Sequence, residues 1–502
     1  MKKANVKINY LYNLVYQLFA MITPLITTPY VSRVLSSDGV GQFTFSSSII
    51  SYFSMFASLG FAVYAQREIA KYQGDKEKQS VVFWEIIICK AISGTICLIV
   101  CWLLIMLGLF QSYTLLVAIS SIEIVSVTLN ISFFFQGNEN FRIIAIRDFV
   151  IKSISVSLVF LFVKSKNDLW IYALCMAGTT LLSTLSLWPY MKKHIIRYPL
   201  AQLSPAKHFL PSVRLFIPTI AISVFMILDK TLIGILIPGD LEICSPDGTT
   251  VLKHIADIEN GYYGQSEKII QMSMMVLASL GTVMLPRNAR ELEQGRQDVF
   301  FRNITHAIEF VFFLGAPISA GLMAIASNFS PWFFGEGYEK VPVLMVIFAF
   351  IVIPSGLGNV FGKQYLIPKG EDRKYTLAYV SSAVVNLILN IILIPKYLSY
   401  GAAVASVIAE IIAPSIMLWF IRKSLNPSQI IKKNWKPLVS AAAMFVCVYM
   451  TGTFLKPSII STFVLISEGI LIYTGSVLLL KAPIAYEAYK IARDKIAVNR
   501  NV

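Results

Sequence analysis

The stretch FMILDKTLIG sets Asp229 directly beside Lys230 inside an otherwise apolar run, and Glu267 and Lys268 repeat the arrangement in a later one. Glu85, Lys90, Glu123, Lys152, Glu309, Glu410 and Glu468 interrupt other apolar runs, making eleven ionisable residues read as intramembrane. A charge at the centre of a membrane helix costs roughly 2.5–3.5 kcal/mol even on the lenient insertion scale. Facing lipid, the set would cost on the order of 20–30 kcal/mol, more than the net stability of most proteins. Most of these groups must therefore face a polar cavity or each other.

Two kinds of chemistry fit them. Lys90, Lys152, Lys230 and Lys268, with Arg33, suit an anionic substrate: the oxygens of a diphosphate accept charge-assisted hydrogen bonds from Lys and Arg. The carboxylates Glu123, Asp229, Glu267, Glu309 and Glu410 suit a proton or Na⁺, whose entry would be coupled to substrate exit. The alternative is interhelical pairing that only fixes helix packing, and it weighs most for Glu85 and Glu468. Asp229 and Lys230 lie about 100° apart around a helix axis, so they are poorly placed as a self-contained pair. One is expected to face the cavity and the other to pair across its lobe. Arg67, near a helix end, reads as an interfacial anchor.

Other chemistry finds no support in the spacing. His194, His208, His254 and His306 show no metal-ligand pattern, and Cys97 and Cys101, four apart, have no His or carboxylate beside them. Neither a catalytic residue nor a metal site is expected. GLGNVFG, at 356 to 362, lacks dinucleotide-binding spacing and reads as close helix packing. With no phosphate-cradling GKS/T loop, ATP is not the expected direct drive.

The elements that must position these charges are membrane helices. The chain has 502 residues, 56% hydrophobic and 14% charged, with a mean hydropathy of +0.67. Soluble domains carry about 25% charge. Apolar blocks near the roughly 20 residues needed to cross hydrocarbon fall at 11–31, 43–63, 82–108, 113–135, 143–163, 168–190, 210–237, 262–285, 300–327, 340–362, 374–394, 401–420, 436–454 and 459–480. This predicts an all-α polytopic membrane protein of about fourteen helices. The N-terminus MKKANVKINY is short and basic, with no small-residue cleavage site after the first apolar run, and reads as preceding a retained first span.

Basic residues set the orientation. With the N-terminus inside, only Arg33, Lys164, Lys166, Lys253, Lys340, Lys396 and Lys456 fall in segments assigned outside, out of 43 Lys and Arg. Both termini are expected to be cytoplasmic. The net charge of +15 is then topological, favouring anionic membrane lipids and giving no reason to expect nucleic acid. The longest outer segment, PGDLEICSPDGTTVLKHIADIEN, is too small for a soluble catalytic domain. Pro24 and Pro29 in the first span and Pro218 in the seventh are hinge candidates, static kinks being the alternative. Pro317 and Pro354 interrupt the ninth and tenth spans.

Two segments resemble each other: GQFTFSSSIISYFSMFASLGFAVYAQR from Gly41 and GQSEKIIQMSMMVLASLGTVMLPR from Gly264. Each passes from Gly-Gln through Ala-Ser-Leu-Gly to a cytoplasmic Arg. They lie six spans apart, the pattern of parallel repeats related by an axis along the membrane normal.

With these patterns in view, NLVYQLFAMITPLITTPYVSRVL followed by GVGQF resembles the opening of bacterial polysaccharide flippases of the Wzx type. FFFQGNENF at 133 to 141 is similar to their segment after the fourth span, and ILDKTLIG with NGYYGQSEKI to their seventh and eighth spans. GKQYLIPKGEDRKY, NLILNIILIP and YGAAVASVIAE resemble the tenth to twelfth. The resemblance runs from about residue 8 to 425 and implies membership of the multidrug/oligosaccharidyl-lipid/polysaccharide exporter superfamily. It implies two pseudo-symmetric six-helix lobes around a central cavity, residues 1–200 and 201–425, with two further helices and a cytoplasmic tail in 426–502. It also implies a non-enzymatic flippase of the bacterial inner membrane. Such a protein moves isoprenoid (undecaprenyl) diphosphate-linked oligosaccharide to the outer leaflet for O-antigen, capsule or exopolysaccharide synthesis. Coupling to a H⁺ or Na⁺ gradient, and a polysaccharide polymerase and chain-length machinery as partners, follow from the same resemblance. The alternatives are a peptidoglycan-precursor or teichoic-acid flippase, a multidrug exporter, or a membrane polymerase or glycosyltransferase.

Overall fold

The computed structural model of the chain describes residues 6–244 and 250–482. Among the described residues, ten helical segments are long and apolar enough to cross a membrane. The chain divides into two compact units, Met1–Gly261 and Tyr262–Val502.

In the first unit α1 (Val6–Ser58) carries one non-helical residue, Ser36 (φ 59°, ψ 174°), where an open outer loop was expected. α2 (Phe61–Lys71) follows Gly60, whose φ of 73° and whose closeness to the Ser212 carbonyl, 2.7 Å from where a Cβ would sit, both call for glycine. α3 (Lys76–Met106) starts at Asp75, whose side chain accepts from the Lys78 amide and so satisfies one of the free N-terminal donors. It presents Ile92, Ile96, Ile99 and Leu103, all more than half exposed, as a membrane-facing stripe.

The fourth apolar block is not one helix but three, α4 (Thr114–Ser120), α5 (Ile122–Leu129) and α6 (Ser132–Gly137), with extended backbone at Asn130. α7 (Phe141–Phe162), α8 (Leu169–Leu185), α9 (Trp188–Met191) and α10 (Ala206–Leu236) complete the helices lying wholly within this unit. The all-α expectation needs one correction. The longest outer segment forms an antiparallel hairpin, β1 (Asp240–Cys244) with β2 (Thr250–His254), with Asp240 opposite His254. Five-residue strands flanked by turn residues leave too short an alternation to stand out beside twenty-residue apolar blocks. α11 (Ile255–Glu293) begins here and continues into the second unit.

The core between α2, α3, α6 and α9 is aromatic: Phe61, Phe83, Phe133, Phe134 and Phe135 are nearly inaccessible. Gly137 closes it, since a Cβ there would lie 2.8 Å from the Gln66 carbonyl. Gln79 fixes the following turn by donating to the Ile69 carbonyl and to Asn138 Oδ1, each at 3.0 Å. The FFFQGN segment is thus a packing device.

The second unit holds most of α11, then α12 (Gln297–Phe334), α13 (Val341–Ala349), α14 (Val352–Gly358), a π-helical stretch Asn359–Leu366, α15 (Asp372–Tyr397), α16 (Ser399–Ile421), α17 (Pro427–Phe454) and α18 (Ile459–Leu479). α15 and α16 form a close hairpin through Leu398 at φ 55°. A Cβ on Gly401 would lie 2.4 Å from the Leu393 carbonyl oxygen, so only glycine allows that turn. α17 and α18 pack on α12 through Ala324, Met444, Val448, Leu465 and Tyr473. Tyr473 donates to the Phe313 carbonyl at 2.6 Å and Trp332 to Thr462 at 2.7 Å. In GLGNVFG, Gly356 faces Val311 and Gly362 faces the Tyr375 ring, at 2.7 and 2.4 Å from where a Cβ would sit. Those glycines permit close packing, as the spacing suggested.

Candidate transport site

Asp229 and Lys230 lie in the last third of α10, where that helix meets the second half of α1. Asp229 is buried and Lys230 half-buried. Ser48 and Thr231 hydroxyls lie 3.0 Å apart, and Tyr52 hydrogen-bonds Thr231 within electrostatic reach of Asp229. A Cβ on Gly234 would fall 2.2 Å from the Phe45 ring, so the two helices touch closely beside this polar patch. Ser48, Tyr52 and Thr231 place hydroxyls beside Asp229 where α1 and α10 meet. Such groups can accept or donate without bringing a second charge.

The other candidates of this unit divide by surroundings. Lys90 is buried on α3 and donates to the Asn130 carbonyl, with its ammonium 5.5 Å from the Phe133 ring centre. Trp188 donates to the adjacent Leu129 carbonyl at 3.1 Å. Both satisfy backbone exposed by the broken fourth block, a role that broken membrane helices require. Glu123 stands half-buried in the first turn of α5, Lys152 half-buried in α7, and Arg33 is exposed three residues before the Ser36 break. Pro24 and Pro29 lie inside the helical first half of α1. Pro218 lies within α10, at a position whose side chain is outside the described residues.

At the end of this unit that carries the hairpin, β1, β2 and the start of α11 close on α1. Lys253 pairs with Asp38 at 2.6 Å, and Tyr113 donates to Asp257 at 2.7 Å. A Cβ on Gly41 would lie 1.6 Å from the Asp257 carbonyl oxygen, and one on Gly261 2.0 Å from that of Ser37. Asp257 precedes the expected span 262–285, and burial pushes its carboxyl up to about 6, against the hydrogen bonds from Tyr113 and Gln42.

At the opposite end the connector between α9 and α10 is stitched along α3. Ser80 accepts from the Ile196 amide, Trp84 donates to the Ile196 carbonyl, and Cys89 donates to the Pro205 carbonyl, at 3.0 to 3.1 Å. Glu85 is fully buried. It accepts from the Ser204 amide and Lys207 at 2.8 Å each and lies 2.8 Å from His208 Nε2. Tyr64 meets the other ring nitrogen at 2.7 Å. Glu85 is therefore an interhelical pair, its weightier expected reading. His208 had no assigned role, and the signal pointing to it was a buried carboxylate near a basic connector that needed a partner.

In the second unit Glu309 is buried on α12 and paired with Lys433 of α17 at 2.5 Å and with His306 at 3.3 Å. Glu267 accepts from Gln271 at 2.9 Å, one turn along α11, and Lys268 beside it is half-buried. Glu410 of α16 lies within electrostatic reach of Tyr375 and Tyr379 of α15. Glu468 accepts from Thr451 at 2.9 Å, tying α18 to α17. The spans also hide polar residues that attention to charge passed over. Ser382, Asn386 and Asn390 are buried along one side of α15, with Ser382 donating to the Ala409 carbonyl at 2.6 Å and Asn390 to Asn386 at 3.0 Å. Their spacing of four was the legible sign of a polar seam. Among the described residues no cluster of His, Cys, Asp and Glu could hold a metal ion.

The family model described as polysaccharide biosynthesis protein matches residues 6–291. The chain belongs to that family. The model described as lipid II flippase MurJ matches residues 150–473, and the two together identify a Wzx-type flippase of the multidrug/oligosaccharidyl-lipid/polysaccharide superfamily. A protein of Escherichia coli (strain K12) assigned to O-antigen transport is 23% identical over 427 residues, covering 84% of this chain and 98% of that protein. One of Haloferax volcanii assigned as a low-salt glycan biosynthesis flippase is 24% identical over 46% of this chain and 48% of its own. Among solved structures, an inward closed lipid II flippase MurJ superposes with a TM-score of 0.71 at 14% identity, over 94% of this chain and 98% of that one. An inward-facing multidrug transporter of the same superfamily gives 0.55 at 15% identity, over 82% and 99%. The superpositions show the fold, and the ten apolar spans among the described residues with the family matches make this a multi-pass protein of the bacterial inner membrane.

Proposed function

We propose that this chain translocates an isoprenoid diphosphate-linked oligosaccharide from the cytoplasmic to the outer leaflet, feeding surface polysaccharide synthesis. The observation that carries the reading is the Asp229–Lys230 pair, set among hydroxyls on a membrane helix of a family whose relatives are flippases. In this reading fourteen spans leave both termini in the cytoplasm. Residues 1–200 and 201–425 act as two lobes, with 426–502 appended. Lys230, Lys152, Lys268 and Arg33 draw in the diphosphate while the lipid tail stays in the bilayer. The lobes then rock to open outward, and Asp229, Glu123, Glu267 or Glu410 takes up a proton or Na⁺ to reset them. A polymerase and its chain-length machinery receive the delivered units.

The likeness to lipid II flippase MurJ favours one second reading, a peptidoglycan-precursor flippase, which uses the same diphosphate chemistry on another sugar. Cells lacking the protein separate these readings when lipid-linked intermediates are probed with an impermeant sugar-oxidising reagent. The proposal expects intermediates on the inner leaflet and loss of surface polymer with intact cell wall. Single units on the outer leaflet would instead show a polymerase, and lysis with normal surface polymer a cell-wall role.

A further inference from the structure

Arg147 and Asp148 lie inside α7, within the expected span 143–163. Arg147 is half-buried, with its side chain 10% exposed. Its guanidinium donates to the Ser183 carbonyl of α8 at 3.0 Å and to Asp148 at 2.6 Å, and Ser183 also donates to Asp148 at 3.1 Å. Nε is buried and has no hydrogen-bond partner. A buried donor left unpaired costs about 1–3 kcal/mol, which an incoming acceptor would remove.

Arg147 lines a cavity of ≈ 580 Å³ with Asn140, Arg142, Tyr190, Ile146 and Val150. That lies within the roughly 300–1,000 Å³ of ligand-sized sites. Arg142, Ile146 and Val150 follow one another at intervals of four along α7, so they form a single stripe. It runs from a cation at the helix start to apolar side chains about 6 and 12 Å further along the axis. Ile146, Val150 and neighbouring Phe149 are nearly half exposed, an arrangement suited to hydrocarbon. The stripe has the polarity of a phospholipid laid along it.

We infer that this cavity between α7 and the end of α8 and α9 binds the phosphate and upper acyl chain of an anionic glycerophospholipid. Its phosphate meets Arg142 and Nε of Arg147 after a small rotation of that side chain, and the start of α7 adds its own attraction for anions. Asn140 and Tyr190 meet the glycerol hydroxyls, and a chain follows Ile146 and Val150. The site lies wholly in the first unit. A phosphoglycerol lipid suits it better than the transported molecule because, besides the two arginines, the lining offers only Asn140, Ser186 and Tyr190 as polar side chains, too few for a row of sugars. Placing the lipid in the inner leaflet rests on the orientation proposed above, with Lys192, Lys193 and Arg197 following α9 on the same side.

The test uses the purified full chain, with retention of phosphatidylglycerol and phosphatidylethanolamine compared by native mass spectrometry. Phosphatidylglycerol is expected to be retained preferentially. Arg142→Gln, at an exposed position, should weaken it about fivefold, the worth of one surface cation near an anionic lipid. Val150→Trp, which fills the apolar end and keeps both arginines, should weaken it as well. Equal retention of the two lipids, or no effect of Arg142→Gln, overturns the inference. Displacement of phosphatidylglycerol by an isoprenoid diphosphate, together with loss of export in Arg142→Gln, also overturns it by making the cavity part of the substrate path.

Discussion

Gly41 of α1 and Asp257 of α11 meet backbone to backbone: a methyl group on Gly41 would sit 1.6 Å from the Asp257 carbonyl oxygen. The contact is reciprocated by Gly261 against Ser37 and clasped from outside by the Asp38–Lys253 ion pair. Gly41→Ala should force the start of α11 off α1. Overpacking costs typically about 1–3 kcal/mol, so amides of residues 250–261 should exchange about 5- to 150-fold faster. Gly39→Ala is the control, because its Cβ would meet side-chain carbons at 3.4 and 4.0 Å, ordinary contact. Equal exchange in both variants would remove the clasp.

Asp257 gives the same contact a pH dependence. Burial raises its carboxyl from 3.8 to about 6. A carboxyl whose folded value is raised contributes stability that is fully present below the unfolded value and is lost as pH rises through the folded one. The difference of about two units corresponds to at most about 3 kcal/mol. Local opening at 255–261, corrected for intrinsic exchange, should therefore increase between pH 4 and pH 7. Asp257→Asn should flatten that profile. An unchanged profile in the variant would assign the dependence to another group, with His254 and Asp38 nearby.

The membrane helices were legible because their signal is length and apolarity. The expected 143–163, 401–420 and 459–480 correspond to Phe141–Phe162, Ser399–Ile421 and Ile459–Leu479. The break at Asn130 was not, since the group that compensates it, Lys90, reaches a backbone carbonyl, and a side-chain pattern carries no trace of that acceptor. Lys90 therefore reads from sequence as a free cation and in the fold as a cap. Glu309 behaves similarly: its partner Lys433 lies more than a hundred residues away, in a segment that reads as a cytoplasmic loop. Asp229 keeps hydroxyl neighbours in the fold, with Tyr52 and Thr231 beside it.

Glu85 and His208 should be energetically coupled. Removing one partner of a buried hydrogen-bonded pair leaves the other unsatisfied and costs about 1–3 kcal/mol, more for a charged group. Glu85→Gln and His208→Gln should each lower the melting temperature of the purified protein. The double variant should lose about 1–3 kcal/mol less than the sum, as for residues in one network. Strict additivity would mean that Lys207 and the Ser204 amide hold Glu85 without the histidine.

The sharpest functional test falls on the α10 pair. Lys230→Ala removes a cation from a seam otherwise supplied with hydroxyls by Ser48, Tyr52 and Thr231, while leaving the Gly234–Phe45 helix contact intact. A hydrogen bond to a charged group contributes about 1.5–3 kcal/mol, so export should fall roughly 10- to 150-fold with little change in melting temperature. Asp229→Asn keeps the size and hydrogen-bonding capacity of the side chain but removes its titration. It should spare substrate binding and abolish the dependence of export on the ion gradient. The double alanine variant, expressed at normal levels, should leave lipid-linked intermediates on the inner leaflet. Full export by that variant would reduce Asp229 and Lys230 to helix packing and move the search for the transport path to Glu410 and its tyrosines.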